Sequence, residues 1–310
     1  MKKLLLILIG LVFVSGCGQT LKNSWGNFRA YYNTYYNAEK NFNTGLKKVQ
    51  DQPQQIDPAE TVRIHPAPVQ AGNSDFQKAI DKGAKILRKF PGSKWTDDAL
   101  LLIGKSYYYR QEFYPARQKF EELYNATSSP EMKQLAIIWK GRTLLDLNLH
   151  RDGVTYLEEQ LDNYPADWST TNRAEIKSVV AEHHAMLENW TQSADYLSEA
   201  VTNMSDRNLL GRTLFMYGQV LEKLERFGEA YFAFSRVSEN FPGFEYIYWA
   251  RFKQADVARK EGNLEIALNI YRDLRKDDKN IQRRGDLSFE IARTYEMMGQ
   301  VDQAEMLYKS

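Results

Sequence analysis

Residues 97–124 read DDALLLIGKSYYYRQEFYPARQKFEELY, and this stretch decides the fold. Gly104 and Tyr107 fall on one apolar run, Ala116 and Phe120 on a second, and a polar break at Arg110–Glu112 separates the runs. Apolar residues at three- and four-residue steps on both sides of a short break predict two antiparallel amphipathic helices. Small residues let the two backbones approach, and the aromatics fill the space beside them.

The same arrangement returns along the chain. Small residues stand at Gly104, Gly141, Ala181, Gly218, Ala255 and Ala292, with spacings of 37, 40, 37, 37 and 37. A second series follows twelve positions behind, at Ala116, Gly153, Ser193, Ala230, Ala267 and Ala304. Self-similarity at a fixed period marks a solenoid, in which each unit buries its apolar face only against its neighbours. Pro91, Pro165 and Pro242 fall twelve residues past Ala79, Gly153 and Ala230, where proline would stop each second helix. The small–aromatic–small–aromatic–Pro pattern resembles the tetratricopeptide repeat, usually 34 residues long. A period of 37 implies longer helices or longer turns. The resemblance covers about Asp75 to Ser310 and implies an all-α, right-handed solenoid of six to seven antiparallel helix pairs, with the last pair incomplete.

The front of the chain is different. Lys2 and Lys3 precede an apolar run from Leu4 to Val14, too short to span a bilayer, and Ser15-Gly16 follow. This is the layout of a secretory signal peptide. Val14-Ser15-Gly16-Cys17 resembles the bacterial lipobox, which implies cleavage before Cys17 and acylation of that residue. Cys17 is the only cysteine, so no internal disulfide is expected. Gly18-Gln19, without an acidic residue, favours the outer membrane under the sorting rule of such lipoproteins, with the protein on its periplasmic face. The expected organisation is a signal peptide over 1–16, a lipidated tether, aromatic helix and Pro/Gln-rich loop over 17–73, and the solenoid over 74–310. Within 17–73, Phe28, Tyr32, Tyr35, Tyr36 and Phe42 recur at helical steps between Trp25 and Val49. Gln50 to Asn73 holds Pro53, Pro58, Pro66 and Pro68 and has no period, so it reads as a loop or disordered insertion.

Lysine and arginine number 41 and aspartate and glutamate 40, a net charge of +1 without a basic run, which leaves no footprint for nucleic acid. No zinc signature, phosphate-binding loop or nucleophile elbow occurs. The adjacent His183 and His184 point about 100° apart on a helix, which suits one in a packed seam and one on the surface rather than a metal pair. No enzyme activity, metal or cofactor is expected.

The expected working surface is the groove formed by the first helix of each repeat. In tetratricopeptide proteins the position after the small seam residue lines that face, which implies Lys105, Arg142, Glu182, Gln219, Asp256 and Arg293 here. Tyr108 and the apolar positions a turn earlier, Phe215, Phe252 and Phe289, complete the expected partner groove. Replacing those three phenylalanines by alanine is expected to weaken partner capture without unfolding the protein. Tyr31-Tyr32-Asn33-Thr34-Tyr35-Tyr36-Asn37 resembles a segment just after the lipid site of the PorW/SprE-type lipoproteins of secretion and gliding systems. The lipobox-plus-repeat layout is also similar to BamD-type lipoproteins of the β-barrel assembly machinery. Both resemblances imply a lipid-anchored scaffold that holds other envelope proteins together. A ligand-capture lipoprotein partnered with a transporter is the alternative from another class.

Overall fold

The computed structural model describes residues 27, 34–53, 56–163, 168–240 and 242–309. Cys17, Trp25, Phe28, Tyr31, Tyr32 and Pro165 lie outside these residues. The described residues form fourteen α-helices with short 3-10 turns and no strand. The protein divides into two compact units, one of Met1–Pro53 with Ala67–Leu147 and one of Gln54–Pro66 with Asn148–Ser310.

The first unit holds α1 (Tyr36–Gln50), α2 (Asn73–Lys89), α3 (Thr96–Tyr109), α4 (Phe113–Ala126) and α5 (Pro130–Asp146). Phe42 on α1 meets Phe76 on α2 at 5.7 Å between ring centroids, and Phe76 stacks on Tyr109 of α3 at 5.4 Å. Tyr35, just before α1, stacks on Trp95 at 4.9 Å. A Cβ added to Gly104 would sit 2.5 Å from the Phe120 ring, so the small seam residue is set by the aromatic on the facing helix.

The second unit holds α6 (His150–Asn163), α7 (Thr170–Met186), α8 (Trp190–Asn203), α9 (Arg207–Lys223), α10 (Phe227–Ser235), α11 (Phe244–Lys260), α12 (Leu264–Lys276), α13 (Arg284–Met297) and α14 (Val301–Tyr308). One period, from Thr170 to Asp206, is a first helix of 17 residues and a second of 14, each followed by a three-residue link. The single spacing of 40 falls where α6 ends at Asn163 and α7 begins at Thr170. The two small-residue series meet in the seams: Ser193 Oγ donates to the Ala181 carbonyl at 2.9 Å, and a Cβ on Gly218 would lie 2.6 Å from Phe234. Pro242, twelve past Ala230, packs its ring where a Cβ on Gly211 would fall.

Capping repeats with the same period. Ser129, Ser169 and Asp206 each accept from the backbone N–H three residues ahead, which satisfies one orphan donor at the start of α5, α7 and α9. Helices α3, α7, α9, α11 and α13 end in a Schellman turn. At α7 the Glu188 N–H donates to the Ala185 carbonyl at 3.0 Å and the Asn189 N–H to the His184 carbonyl at 2.9 Å. The left-handed residue after the first helix is Gln111, Asn148, Glu188, Glu225, Gly262 and Gly299 in successive repeats. Only the last two are glycine, so four positions carry side chains in a conformation that costs an L-residue about 1–2 kcal/mol. Glu188→Gly is therefore expected to stabilise the protein by about 1 kcal/mol in urea unfolding. Glu188→Ala, which keeps the Cβ, serves as the comparison and should give no gain.

Candidate functional site

Three first helices of the second unit, α7, α9 and α11, present one side chain each to a common segment of the same unit, residues 56–66, which turns at Asp57–Glu60 and is without helix or strand. Gln219 on α9 clamps its backbone: the Val62 N–H donates to Gln219 Oε1 at 2.8 Å, and Gln219 Nε2 donates to the Glu60 carbonyl at 2.8 Å. A carboxamide paired with both a carbonyl and an N–H reads the backbone without reading its side chains. Tyr246 on α11 adds a hydroxyl donor to the Arg63 carbonyl at 3.5 Å.

The segment's side chains are held as well. Ile64 is fully buried in a cluster with Ala181, Ala185, Ala194, Leu197, Met216 and Val220. Burying a residue of that size contributes about 1.5–3 kcal/mol. Val62 and Ile56 pack on the neighbouring cluster of Leu214, Phe215 and Leu221. Glu182 on α7, with no exposed surface, accepts from the His65 N–H at 3.2 Å and faces His65 Nδ1 at 2.6 Å. Arg63 Nε lies 3.6 Å from the same carboxylate. Burial alone would raise the Glu182 carboxyl, but the His65 charge and hydrogen bonds, together with Arg63, outweigh it and hold the group below its usual value.

Glu182 and Gln219 stand 37 residues apart in the row that follows the seam residues. Asp256, the next member, is engaged elsewhere. It pairs with Arg259 at 2.8 Å and Lys260 at 3.1 Å, and Lys260 and Lys253 both reach Glu222. Arg259 bridges onward to Glu290 at 2.5 Å, whose other oxygen lies 3.4 Å from Arg293. Ion pairs thus link α9, α11 and α13 side by side. In the first unit Lys105 and Arg142 both lie over the Trp139 ring, at 4.9 and 3.9 Å.

Several expected groove residues are placed otherwise. Tyr108 is fully buried, edge-on to Trp139 at 5.4 Å and Phe113 at 5.8 Å, because α3 packs on both α4 and α5. Phe215 is also fully buried, between Phe234 and Tyr246. Neither can meet a partner while the helices around it stay packed. Phe252 is half-buried against Tyr271, and Phe289 is 52% exposed, touching Tyr308 at 5.7 Å. The histidine expected at the surface is buried too: His183 fills the space over Gly153, and His184 pairs with Glu158 at 3.1 Å and stacks on Tyr196.

Among the described residues no group of three or more His, Cys, Asp or Glu side chains could hold a metal ion. No helix among them is long and apolar enough to cross a membrane.

A family model for the tetratricopeptide repeat matches residues 98–126. Comparison with curated protein sequences gives no match. Among solved structures, the C-terminal part of a tetratricopeptide-repeat protein from Cytophaga hutchinsonii is 16% identical, with a TM-score of 0.57 over 76% of this protein and 89% of that one. The apo form of RapI is 14% identical, with a TM-score of 0.52 over 77% of this protein and 69% of that one. The all-helical protein has the fold of tetratricopeptide-repeat proteins and carries a stretch that matches their family model.

Proposed function

We propose that this protein is a non-enzymatic protein-interaction scaffold, acylated at Cys17 and held to the periplasmic face of an outer membrane. There it holds together subunits of a protein-secretion or outer-membrane assembly complex. The observation that carries the interaction role is the Gln219 clamp, which holds the Glu60–Val62 backbone, free of helix or strand, against first helices through one carbonyl and one N–H. Extended peptides gain affinity from backbone hydrogen bonds and specificity from side-chain pockets, and this face offers both. The lipobox at Val14–Cys17 supports the anchor, and the aromatic segment from Tyr31 supports the secretion setting. Stable anchoring needs more than one acyl group, which the acylated cysteine of bacterial lipoproteins supplies.

The test is a pull-down of the full-length protein from detergent-solubilised cells, beside Gln219→Ala and Cys17→Ser variants. Wild type should recover secretion or barrel-assembly subunits, which Gln219→Ala should lose. Cys17→Ser should leave the membrane fraction and no longer incorporate labelled palmitate. Recovery of a β-barrel insertase would select the assembly role, and of a secretion or gliding apparatus the secretion role. Retention of Cys17→Ser in the membrane would remove the anchor. A transporter as the sole partner would replace the scaffold by ligand capture.

A further inference from the structure

The geometry points to residues 56–66, IDPAETVRIHP, as an internal copy of the ligand this groove accepts. The partner is then an extended protein segment in which an arginine and a histidine flank a β-branched apolar residue, and it binds by displacing the protein's own strap. The inference rests on the groove reading above and adds the chemistry of what binds there.

The strap has the marks of a ligand. It enters from Pro53 and leaves at Ala67, both assigned to the first unit, yet its contacts are with helices of the second. It turns at Asp57–Glu60, where the Glu60 N–H donates to the Asp57 carbonyl, and then runs without helix or strand, so the backbone from Glu60 onward is open to pairing, and Gln219 uses that opening at Glu60 and Val62. Each of its anchors fits one receiving feature: Val62 and Ile64 the apolar clusters, His65 and Arg63 the Glu182 carboxylate. Glu182 sets the selectivity. It lies wholly out of solvent, and a competing segment without a cation opposite it would leave a buried carboxylate uncompensated. An acidic or purely apolar segment is thereby rejected. Beside the strap a cavity of about 390 Å³, lined by Glu60, Thr61, Gln219, Glu222, Lys253 and Lys260, gives a longer partner room to continue.

A segment tethered to its own groove competes at an effective concentration on the order of millimolar. Free ligand therefore meets a site that is vacant only for the fraction of time the strap is off, and its apparent affinity falls by that fraction.

The experiment titrates a fluorescein-labelled synthetic peptide of residues 56–66 with the full-length protein in detergent. Arg63→Ala/His65→Ala, which weakens the strap, should bind the peptide about tenfold or more tightly than wild type does. Adding Glu182→Gln to that variant should abolish binding, and a peptide with alanine at the Arg, Ile and His positions should not bind. If the double variant keeps its helical circular dichroism yet binds no better than wild type, the strap is a fixed part of the fold and the inference fails. If the double variant unfolds, wild type decides. Excess unlabelled peptide should speed amide exchange in the protein's own 56–66 segment, read by mass spectrometry, and no change would overturn the proposal. Neither arm uses an envelope partner. Failure here beside a Gln219-dependent pull-down would remove the strap as mimic and leave the groove reading standing.

Discussion

Phe215→Ala lowers the stability of the second unit by about 3–5 kcal/mol, and its melting temperature by on the order of 10 °C. Phe289→Ala, two repeats further along in the same register, costs less than about 1 kcal/mol. Phe215 has no exposed surface and meets Phe234 at 5.7 Å and Tyr246 at 5.5 Å, so its truncation opens a cavity between α9, α10 and α11. Phe289 is 52% exposed and loses chiefly its contact with Tyr308. Repeat arrays melt by neighbouring units, so the loss should appear as early unfolding of the helices around α9. Thermal melts followed by circular dichroism on the two single variants make the comparison. Equal losses would mean that burial by the next repeat does not set the cost. The three-phenylalanine replacement is therefore a poor probe of partner capture, since one of its members is core.

The phenylalanine series shows where sequence reading stops. The period was legible because close helix approach admits only small residues, and the facing aromatics leave no room for a Cβ at Gly104 or Gly218. Period assigns equivalent positions but does not say what covers them. Phe215 lies under Tyr246 of the next first helix, Phe252 meets Tyr271 of its own pair, and α13 has no following first helix among the described residues. Tyr108 stands beside the seam in sequence, yet faces α4 and α5 together. The turn row was hidden for another reason. A left-handed residue is signalled by glycine, and Gln111, Asn148, Glu188 and Glu225 hold that conformation without it. The strap was least visible. Its prolines mark an irregular stretch, but its partners lie 117, 157 and 183 residues away in sequence, and nothing local to Gln50–Asn73 encodes them. Glu182, by contrast, is picked out by its place one position after the seam residue Ala181. It is an acidic residue beside His183 and His184 on a helix whose neighbours Val179, Val180 and Ala181 are apolar.

Glu182→Ala should release the strap and cost the second unit about 3–5 kcal/mol, because it strips the counter-charge from a buried pair. The carboxylate is wholly buried and His65 is 4% exposed, so solvent does little to screen the interaction or to replace it. Removing the carboxylate takes away the buried group that Arg63 and His65 both face. Moving the segment into water is then cheaper than keeping it in place. Ile64 loses its pocket in the process, which offsets part of that gain and keeps the release incomplete. Amide exchange read by mass spectrometry should show the Val62 and His65 amides losing protection while the Schellman-turn amides at Glu188 and Glu225 keep theirs. Acid should act in the same direction. The folded carboxyl is held below its ordinary 4.5, so its stabilising contribution is complete above that pH and is lost as pH falls through the lower folded value. After correction for intrinsic exchange rates, wild type at acid pH should approach the Glu182→Ala pattern. Unchanged protection at Val62 and His65 in the variant would mean that the Gln219 clamp and Ile64 hold the segment by themselves, and that the buried charge pair serves selection rather than retention.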